Sequence, residues 1–226
     1  MDESSREGYP LLDHPEVYPV LETVTKTIIT ESDRGAVLVA ASIIDEYLRK
    51  LFEHRGSLQM GKKKRRELLD YPGPLSTLAA KVDVALLTEL IDKPLHVAIH
   101  RLRALRNTVA HNTAGFRLAD HQEQLRQISD LGPGVPAAIN RMANEFLMRS
   151  FFENLEEHVN ANPDSATLFA DPQEVLDQLR SMPDTTQKLQ ERAWRLELGI
   201  AVGMMCGMIV FYWERPDQRA SAPRSD

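Results

Sequence analysis

The most regular feature of the sequence is the recurrence of apolar residues at intervals of three and four, the period of an amphipathic α-helix. In the stretch that follows Ser32 and Asp33, the apolar positions are Val37, Ala40, Ile44, Tyr47, Leu48 and Leu51. A serine or an aspartate directly before such a run is a common helix N-cap. The pattern therefore predicts a long helix from Ser32 or Asp33 to about His54.

The same period continues along the chain, and strand-like alternation bounded by tight turns is absent from the sequence. We predict other helices over 19–30, 77–91, 93–112, 119–131, 136–160 and 171–182. The sequence thus predicts an all-α fold, a helical bundle with a C-terminal apolar helix. We divide it into a disordered N-terminal segment (1–14), a helical domain (15–182), the apolar helix (183–215) and a disordered tail (216–226).

The helix predicted over 93–112 has two distinct faces when its residues are placed at about 100° intervals. The apolar face, which we expect to lie in the core, consists of Leu95, Ala98, Ile99, Leu102, Leu105 and Val109. The opposite face carries His96, His100, Arg103, Asn107 and His111. Arg106 falls at the border, where its stem can pack while its guanidinium reaches outward.

The C-terminal segment 198–213 has sixteen consecutive residues without a charge. Gly199, Gly203 and Gly207 are spaced by four residues, which lets two helices approach closely. Sixteen residues span roughly 24 Å as a helix, less than the ~30 Å of a bilayer core. The segment is therefore either a short membrane tail or the buried central helix of a bundle, and the sequence leaves both interpretations open.

Charge and cysteine usage exclude some classes of function. The formal net charge of −6 argues against a protein that coats DNA. A single cysteine, Cys206, excludes an internal disulfide framework and is consistent with a reducing cytoplasm. One short run is strongly basic and is a candidate for phosphate or nucleic-acid contact, although such runs are often only solvated surface. It consists of Lys62, Lys63, Lys64, Arg65 and Arg66.

The element Arg106-Asn107-x-x-x-His111 is the strongest candidate for chemistry. An arginine can bind a phosphate through two parallel hydrogen bonds, and a histidine near neutral pH can act as an acid or a base. The helix dipole at the C-terminal turn favours a protonated His111. The competing interpretation is an ordinary solvent-facing helix surface.

Other polar residues have simpler interpretations. His96 and His100 have the spacing of a metal-binding pair, but no further ligand is evident nearby in the sequence, and we predict neither a metal nor a cofactor. We expect Asp83, a charge in an otherwise apolar helix, to have a buried or interfacial partner such as an arginine. Asp45 and Glu46 could pair with Arg103 or Arg106, in which case those arginines would be structural.

Four segments occur together in an order and spacing that resemble the mannitol operon repressor-like (MtlR/MltR) family. They are SDRGAVLVAASIIDEYLRKLF, GPLSTLAAKVDVALLTELI, LRALRNTVAHN and GFRLAD. The resemblance covers about 15–130 and implies an all-α, oligomeric, cytoplasmic protein that regulates through protein partners. The Arg106–His111 element is also similar to the R-x4-6-H motif of HEPN-domain ribonucleases. That similarity implies roles for Arg106 at the scissile phosphate, Asn107 as an orienting group and His111 as the acid or base.

Two functional hypotheses follow. The first is a regulatory helical protein that acts through protein–protein interaction, with transcription as its expected context. The alternative is a metal-independent endoribonuclease of the toxin or defence type, with catalytic Arg106, Asn107 and His111 at a dimer interface. RNA would then contact Arg103 and the basic run. We expect a homodimer in the cytoplasm, with a protein or RNA partner, no sequence-specific DNA binding, and membrane association through 198–213 as the alternative location.

Overall fold

The computed structural model describes residues 14–56, 60–111, 115–161 and 183–214. These residues form eight α-helices, one 3₁₀ helix and no strand, which confirms the predicted all-α bundle with its C-terminal apolar helix. The helices are α1 (Val17–Ile29), α2 (Asp33–Arg55), α3 (Lys62–Leu69), α4 (Leu78–Leu87), α5 (Lys93–His111), α6 (Gln122–Ile128), α7 (Val135–Ala161) and α8 (Pro183–Glu214). The 3₁₀ helix, Leu118–His121, leads directly into α6.

Helix α8 is the central element of the bundle and packs against α1, α2 and α7. Every residue from Leu198 to Val210 is buried. The helix is antiparallel to α1, because Gly199 meets Thr25 near one end and Gly207 meets Val17 near the other. At Gly203 an added Cβ would lie 3.0 Å from both the Cα and the carbonyl oxygen of Leu21. The three glycines therefore serve the close approach of two helices within one chain.

The length and composition of α8 would also allow it to cross a membrane, over Gln187–Glu214. Membrane spans and the core helices of soluble proteins share these properties, so they do not decide between the two. However, 72% of its most apolar eighteen-residue window is buried inside the protein. The structure thus accounts for the uncharged segment as part of a core.

Helix α2 begins where its sequence predicts. The Ser32 hydroxyl accepts a hydrogen bond from the Gly35 backbone N–H at 3.1 Å and caps the helix. Asp33 has a different role, because its carboxylate accepts a hydrogen bond from the Leu118 N–H at 2.9 Å and lies 3.5 Å from the Arg195 guanidinium. It therefore joins the start of α2 to α8 and to the segment after α5.

Helix α4 ends four residues earlier than the apolar pattern predicts. Thr88 is its C-cap, and Glu89 adopts a left-handed conformation with φ of 61°. The N–H groups of Glu89 and Leu90 bond back to the carbonyls of Leu86 and Ala85, respectively. This pair of bonds is the Schellman arrangement, which normally has a glycine at the left-handed position. The helix predicted over 171–182 and the termini 1–13 and 215–226 lie outside the described residues.

Candidate functional site

Helix α5 presents its polar residues outward because its other face is fixed in the core. The six residues predicted to form the apolar face are all fully buried: Leu95, Ala98, Ile99, Leu102, Leu105 and Val109. The hydroxyl of Tyr212 near the end of α8 donates a hydrogen bond to Asp92, 2.8 Å away, and holds the start of α5 beside the end of α8. The rotation of α5 about its axis is therefore set by packing, and its polar face is available to solvent or to a partner.

The candidate catalytic residues lie on the last two turns of α5. Arg106 and His111 are exposed, and Asn107 is half-buried. One Arg106 guanidinium N–H donates to the Asn107 side-chain oxygen over 3.3 Å. Within the described part of the chain, neither Arg106 nor His111 takes part in an ion pair. Arg103, one turn earlier, is half-buried.

The two carboxylates that could have formed ion pairs with these arginines have other cationic partners. Asp45 accepts two hydrogen bonds from the Lys81 ammonium, each of 2.8 Å, and Lys81 is only 2% exposed. Glu46 lies 3.6 Å from Arg49 on its own helix. The expectation that Asp45 or Glu46 pairs with an α5 arginine is therefore wrong. The reason is that Lys81 enters the core from α4 and meets Asp45 first.

Asp83 of α4 joins two of the α5 histidines in a compact cluster. Its Oδ1 atom lies 2.9 Å from His96 Nε2 and 2.8 Å from His100 Nε2. Hydrogen bonds from the two imidazoles lower the pKa of the Asp83 carboxyl below its ordinary value. The partners of Asp83 are half-buried histidines of the neighbouring helix, which confirms the predicted interfacial partner, but they are histidines and not the arginine that we named.

The cluster was not predicted, although both of its parts are visible in the sequence. The i, i+4 spacing of His96 and His100 and the single charge of Asp83 in an apolar helix are local signals. What joins them is the packing of α4 against α5, which brings together residues 13 and 17 positions apart. Asp83, His96 and His100 form a group whose three ligand atoms lie within 4.8 Å of one another.

The basic run forms most of α3, and three of its residues, Lys62, Lys63 and Arg66, line an open groove of about 810 Å³ together with Glu67 and Asp70. The exposed members of the run are Lys62, Lys63, Lys64 and Arg66. Arg65 is half-buried and donates to the carbonyl oxygens of Met60, at 3.0 Å, and of Glu53, at 2.8 Å. The bond to Glu53 holds α3 against the end of α2, and the bond to Met60 holds it to the segment that precedes it.

The basic groove and the end of α5 lie at opposite ends of the bundle. Arg65 fixes α3 at the C-terminal end of α2, whereas the segment that follows α5 is fixed at Asp33, the first residue of α2. A helix of the length of α2 spans roughly 34 Å. A short RNA could not contact both regions of one protomer, so a site that uses both needs an extended RNA or a second protomer.

A third surface lies on α2 beside its core-facing stripe. Four partly exposed apolar residues share it with Ser42 and Glu46 around a groove of about 370 Å³; they are Leu38, Val39, Ile43 and Tyr47. Partial burial raises the pKa of the Tyr47 hydroxyl, and the Lys50 ammonium lies 5.1 Å from the centre of its ring. We call this surface the α2 groove. The sequence did not predict this groove, because apolar residues on a second face of a helix are interpreted as further core residues.

Comparisons with protein-family models, with curated proteins and with solved structures find no significant match to this chain.

Proposed function

We propose that this protein is a non-catalytic regulatory protein that acts through protein–protein contacts as a helical dimer, with transcription as the regulated process. The observation that carries the proposal is the α2 groove. Its apolar residues are partly exposed, although the same helix already contributes a complete buried stripe to the core. Apolar grooves along a helix are a common docking surface for a second helix.

The spacing of the groove residues favours a second copy of the same chain as the partner. Val39, Ile43 and Tyr47 follow one another at intervals of four along α2. If two α2 helices cross antiparallel about a two-fold axis at Ile43, Val39 of each faces Tyr47 of the other. A two-fold interface requires this reciprocity, in which the same patch serves both subunits.

The surroundings of α8 support a cytoplasmic location rather than a membrane tail. Helix α1, which packs along α8, exposes Glu22 and Lys26 on its outer side, where they form a 2.7 Å ion pair. Charged side chains on the lipid-facing side of a bundle are costly, and an ion pair of this kind is ordinary at a water-exposed surface. We therefore assign α8 the role of a core helix.

A matched pair of valine substitutions tests the dimer. Val39→Lys places a charge in the α2 groove, whereas Val97→Lys places the same charge on an exposed valine of α5 outside it. We expect Val39→Lys to convert the dimer into a monomer in light scattering, with unchanged helicity by circular dichroism, and Val97→Lys to remain dimeric. A wild-type protein that is monomeric at micromolar concentration would contradict the proposal.

The second candidate function is the metal-independent ribonuclease. A specific observation favours it: Arg106 and His111 are both exposed on the last turns of α5, and neither is held by a carboxylate in the described chain. In this role His111 would remove the proton of a 2′-hydroxyl and Arg106 would stabilise the charge that develops on the attacked phosphate. Asn107 would orient Arg106 through their 3.3 Å contact.

RNA cleavage in EDTA tests this alternative. The purified protein, His111→Ala and Arg106→Ala are each incubated with RNA, and Lys26→Ala serves as a control at an exposed cation of α1. If the protein is a nuclease, RNA cleavage should continue in EDTA. Each of the two α5 variants should lower the cleavage rate by roughly 10²-fold or more. Intact RNA over a wide range of protein concentration would exclude it.

Transcript profiles of cells that express the variants separate the two functions. A regulator that works through the α2 groove loses its effect on transcripts with Val39→Lys and keeps it with His111→Ala. A nuclease loses its effect with His111→Ala, whatever its oligomeric state. Retention of the effect in Val39→Lys would contradict the regulatory proposal.

A further inference from the structure

The cluster of Asp83, His96 and His100 has the composition of a metal-binding site. The two histidines lie one turn apart on the same face of α5, and both direct Nε2 toward the carboxylate that α4 supplies. Imidazole nitrogen and carboxylate oxygen are ligands of zinc and of related divalent transition metals, whereas magnesium and calcium prefer oxygen alone.

The distances fit a single ion of this kind. Zinc binds imidazole nitrogen at about 2.0–2.1 Å and carboxylate oxygen at about 2.0–2.2 Å in a tetrahedral arrangement, which separates neighbouring ligand atoms by roughly 3.3 Å. Asp83 Oδ1 lies 2.9 and 2.8 Å from the two Nε2 atoms, and all three ligand atoms lie within 4.8 Å of one another. The ion is admitted once Asp83 moves outward by a few tenths of an ångström and the two imidazoles turn so that neighbouring ligand atoms lie about 3.3 Å apart.

We propose that Asp83, His96 and His100 bind one divalent transition-metal ion of the zinc class. Nε2 of each histidine and one oxygen of Asp83 supply three ligands. Water completes the coordination on the solvent side, because Asp83 is exposed and the site opens outward. The ion replaces the shared protons of the cluster, since Nε2 must be unprotonated to bind a metal. This proposal is independent of both functions proposed above.

The second nitrogen of His96 limits the affinity of the site. His96 Nδ1 is buried and has no hydrogen-bond partner among the described residues. When the metal occupies Nε2, the proton lies on Nδ1, where metal-binding histidines usually donate to a carboxylate or a carbonyl. Without that support we expect binding roughly 10- to 100-fold weaker than at a site whose histidines are both braced in this way.

A bound ion would join α4 to α5, because Asp83 belongs to one helix and the two histidines belong to the other. Lys81 of α4 already forms an ion pair with Asp45 of α2. A bound ion would hold the first half of α5 to α4 and leave the Arg106–His111 end unchanged. Metal binding therefore raises the thermal midpoint of unfolding, because it stabilises the folded state alone.

Calorimetric titration of the full-length, tag-free, metal-free protein with Zn²⁺ tests the proposal. We expect one ion per chain, and a visible absorption spectrum of the Co²⁺-loaded protein with the strong bands of a low-coordinate site. Asp83→Asn and His100→Gln should each weaken Zn²⁺ binding by at least roughly tenfold. His54→Gln, at an exposed histidine outside the cluster, should bind as the wild type does.

A rescue variant distinguishes a metal site from a simple network of ion pairs. Asp83→Cys replaces the carboxylate with a thiolate, a zinc ligand at about 2.3 Å, and should restore or exceed the wild-type affinity. All variants are compared at equal helicity by circular dichroism. Binding that is absent in the wild type, or unchanged in Asp83→Asn, or equally reduced in His54→Gln, would overturn the proposal.

Discussion

The two sides of this bundle are held together by different kinds of contact. On one side is the glycine seam, in which Gly199, Gly203 and Gly207 of α8 lie against α1. On the other is the polar side, where α4 and α5 meet α2 and each other through Lys81, Asp83 and the two histidines. In the seam the glycines lie against the backbone of Thr25 and Leu21 and the side chain of Val17, without a charge, whereas the polar side has ion pairs that reach from the core to solvent.

The difference indicates which part of the protein tolerates substitution and which part can bind a ligand. At Gly203 the glycine seam has no room for an added atom, because the nearest atoms, the Cα and carbonyl oxygen of Leu21, belong to backbone that cannot rotate away. A polar contact at a partly exposed helix surface can exchange its partner for water, a proton or an ion. The candidate chemistry therefore lies on the polar side and the end of α5, and the seam supplies the rigid support.

The largest expected effect is at the centre of the seam. Gly203→Val places a branched side chain 3.0 Å from the Cα and carbonyl oxygen of Leu21, so the two helices must separate. We expect a loss of about 3 kcal/mol or more in the free energy of unfolding, measured in urea. Gly115→Val is the control, because no atom lies within 4 Å of a Cβ added there. A similar, small loss in both variants would show that the seam is not tightly packed.

The next effect is on the polar side, at its buried ammonium. Lys81→Ala leaves the Asp45 carboxylate without its partner, and we expect a loss of about 2–3 kcal/mol in the free energy of unfolding, moderated because Asp45 is about one third exposed. Lys81→Met retains the apolar stem and should cost less. Lys64→Ala removes an exposed ion pair with Glu67 and should change stability by less than about 1 kcal/mol. Equal losses in the free energy of unfolding for Lys81→Ala and Lys64→Ala would show that the buried and the exposed ion pair contribute alike.

A smaller effect should appear where a carboxylate lies beside the buried part of α8. Burial raises the pKa of Glu197 above its ordinary value, and a hydrogen bond from Asn140 partly offsets the change. Because the folded pKa exceeds the unfolded one, wild-type stability should fall as pH rises from about 4.5 through the folded pKa. Glu197→Gln should remove this fall and be more stable than the wild type at pH 7. Urea unfolding at several pH values measures it, and parallel curves for the two proteins would contradict it.

The smallest effect should occur where the two sides meet. Tyr212→Phe removes the 2.8 Å hydrogen bond to Asp92 that joins the end of α8 to the start of α5. We expect a loss of about 0.5–1 kcal/mol in the free energy of unfolding, as for a partly exposed hydrogen bond. Tyr71→Phe, at a side chain that is 91% exposed, should have no effect. A larger loss than at Lys81 would mean that this bond, rather than the polar side, holds α5 in place.

Local pattern predicted most of the fold because helices are formed by local contacts. The apolar face of α5 and the Ser32 cap of α2 both lie where the sequence places them. The end of α4 was missed because Glu89 occupies a left-handed position without the glycine that signals one. The partners of Asp45 and Asp83 were missed because Lys81 and the histidines reach them only through the packing of α4 against α2 and α5.

By itself, the sequence determined the helical class, the buried face of α5 and most of that of α2, and the placement of Arg106, Asn107 and His111 on the outer part of α5, because a 3.6-residue period fixes which side chains share a face. Only the tertiary structure decided what those faces meet. It placed the glycines of α8 against α1, put the basic helix α3 at the far end of α2 from His111, and brought Asp83 to two histidines. Such contacts depend on how helices pack, and helix period carries no information about the neighbour.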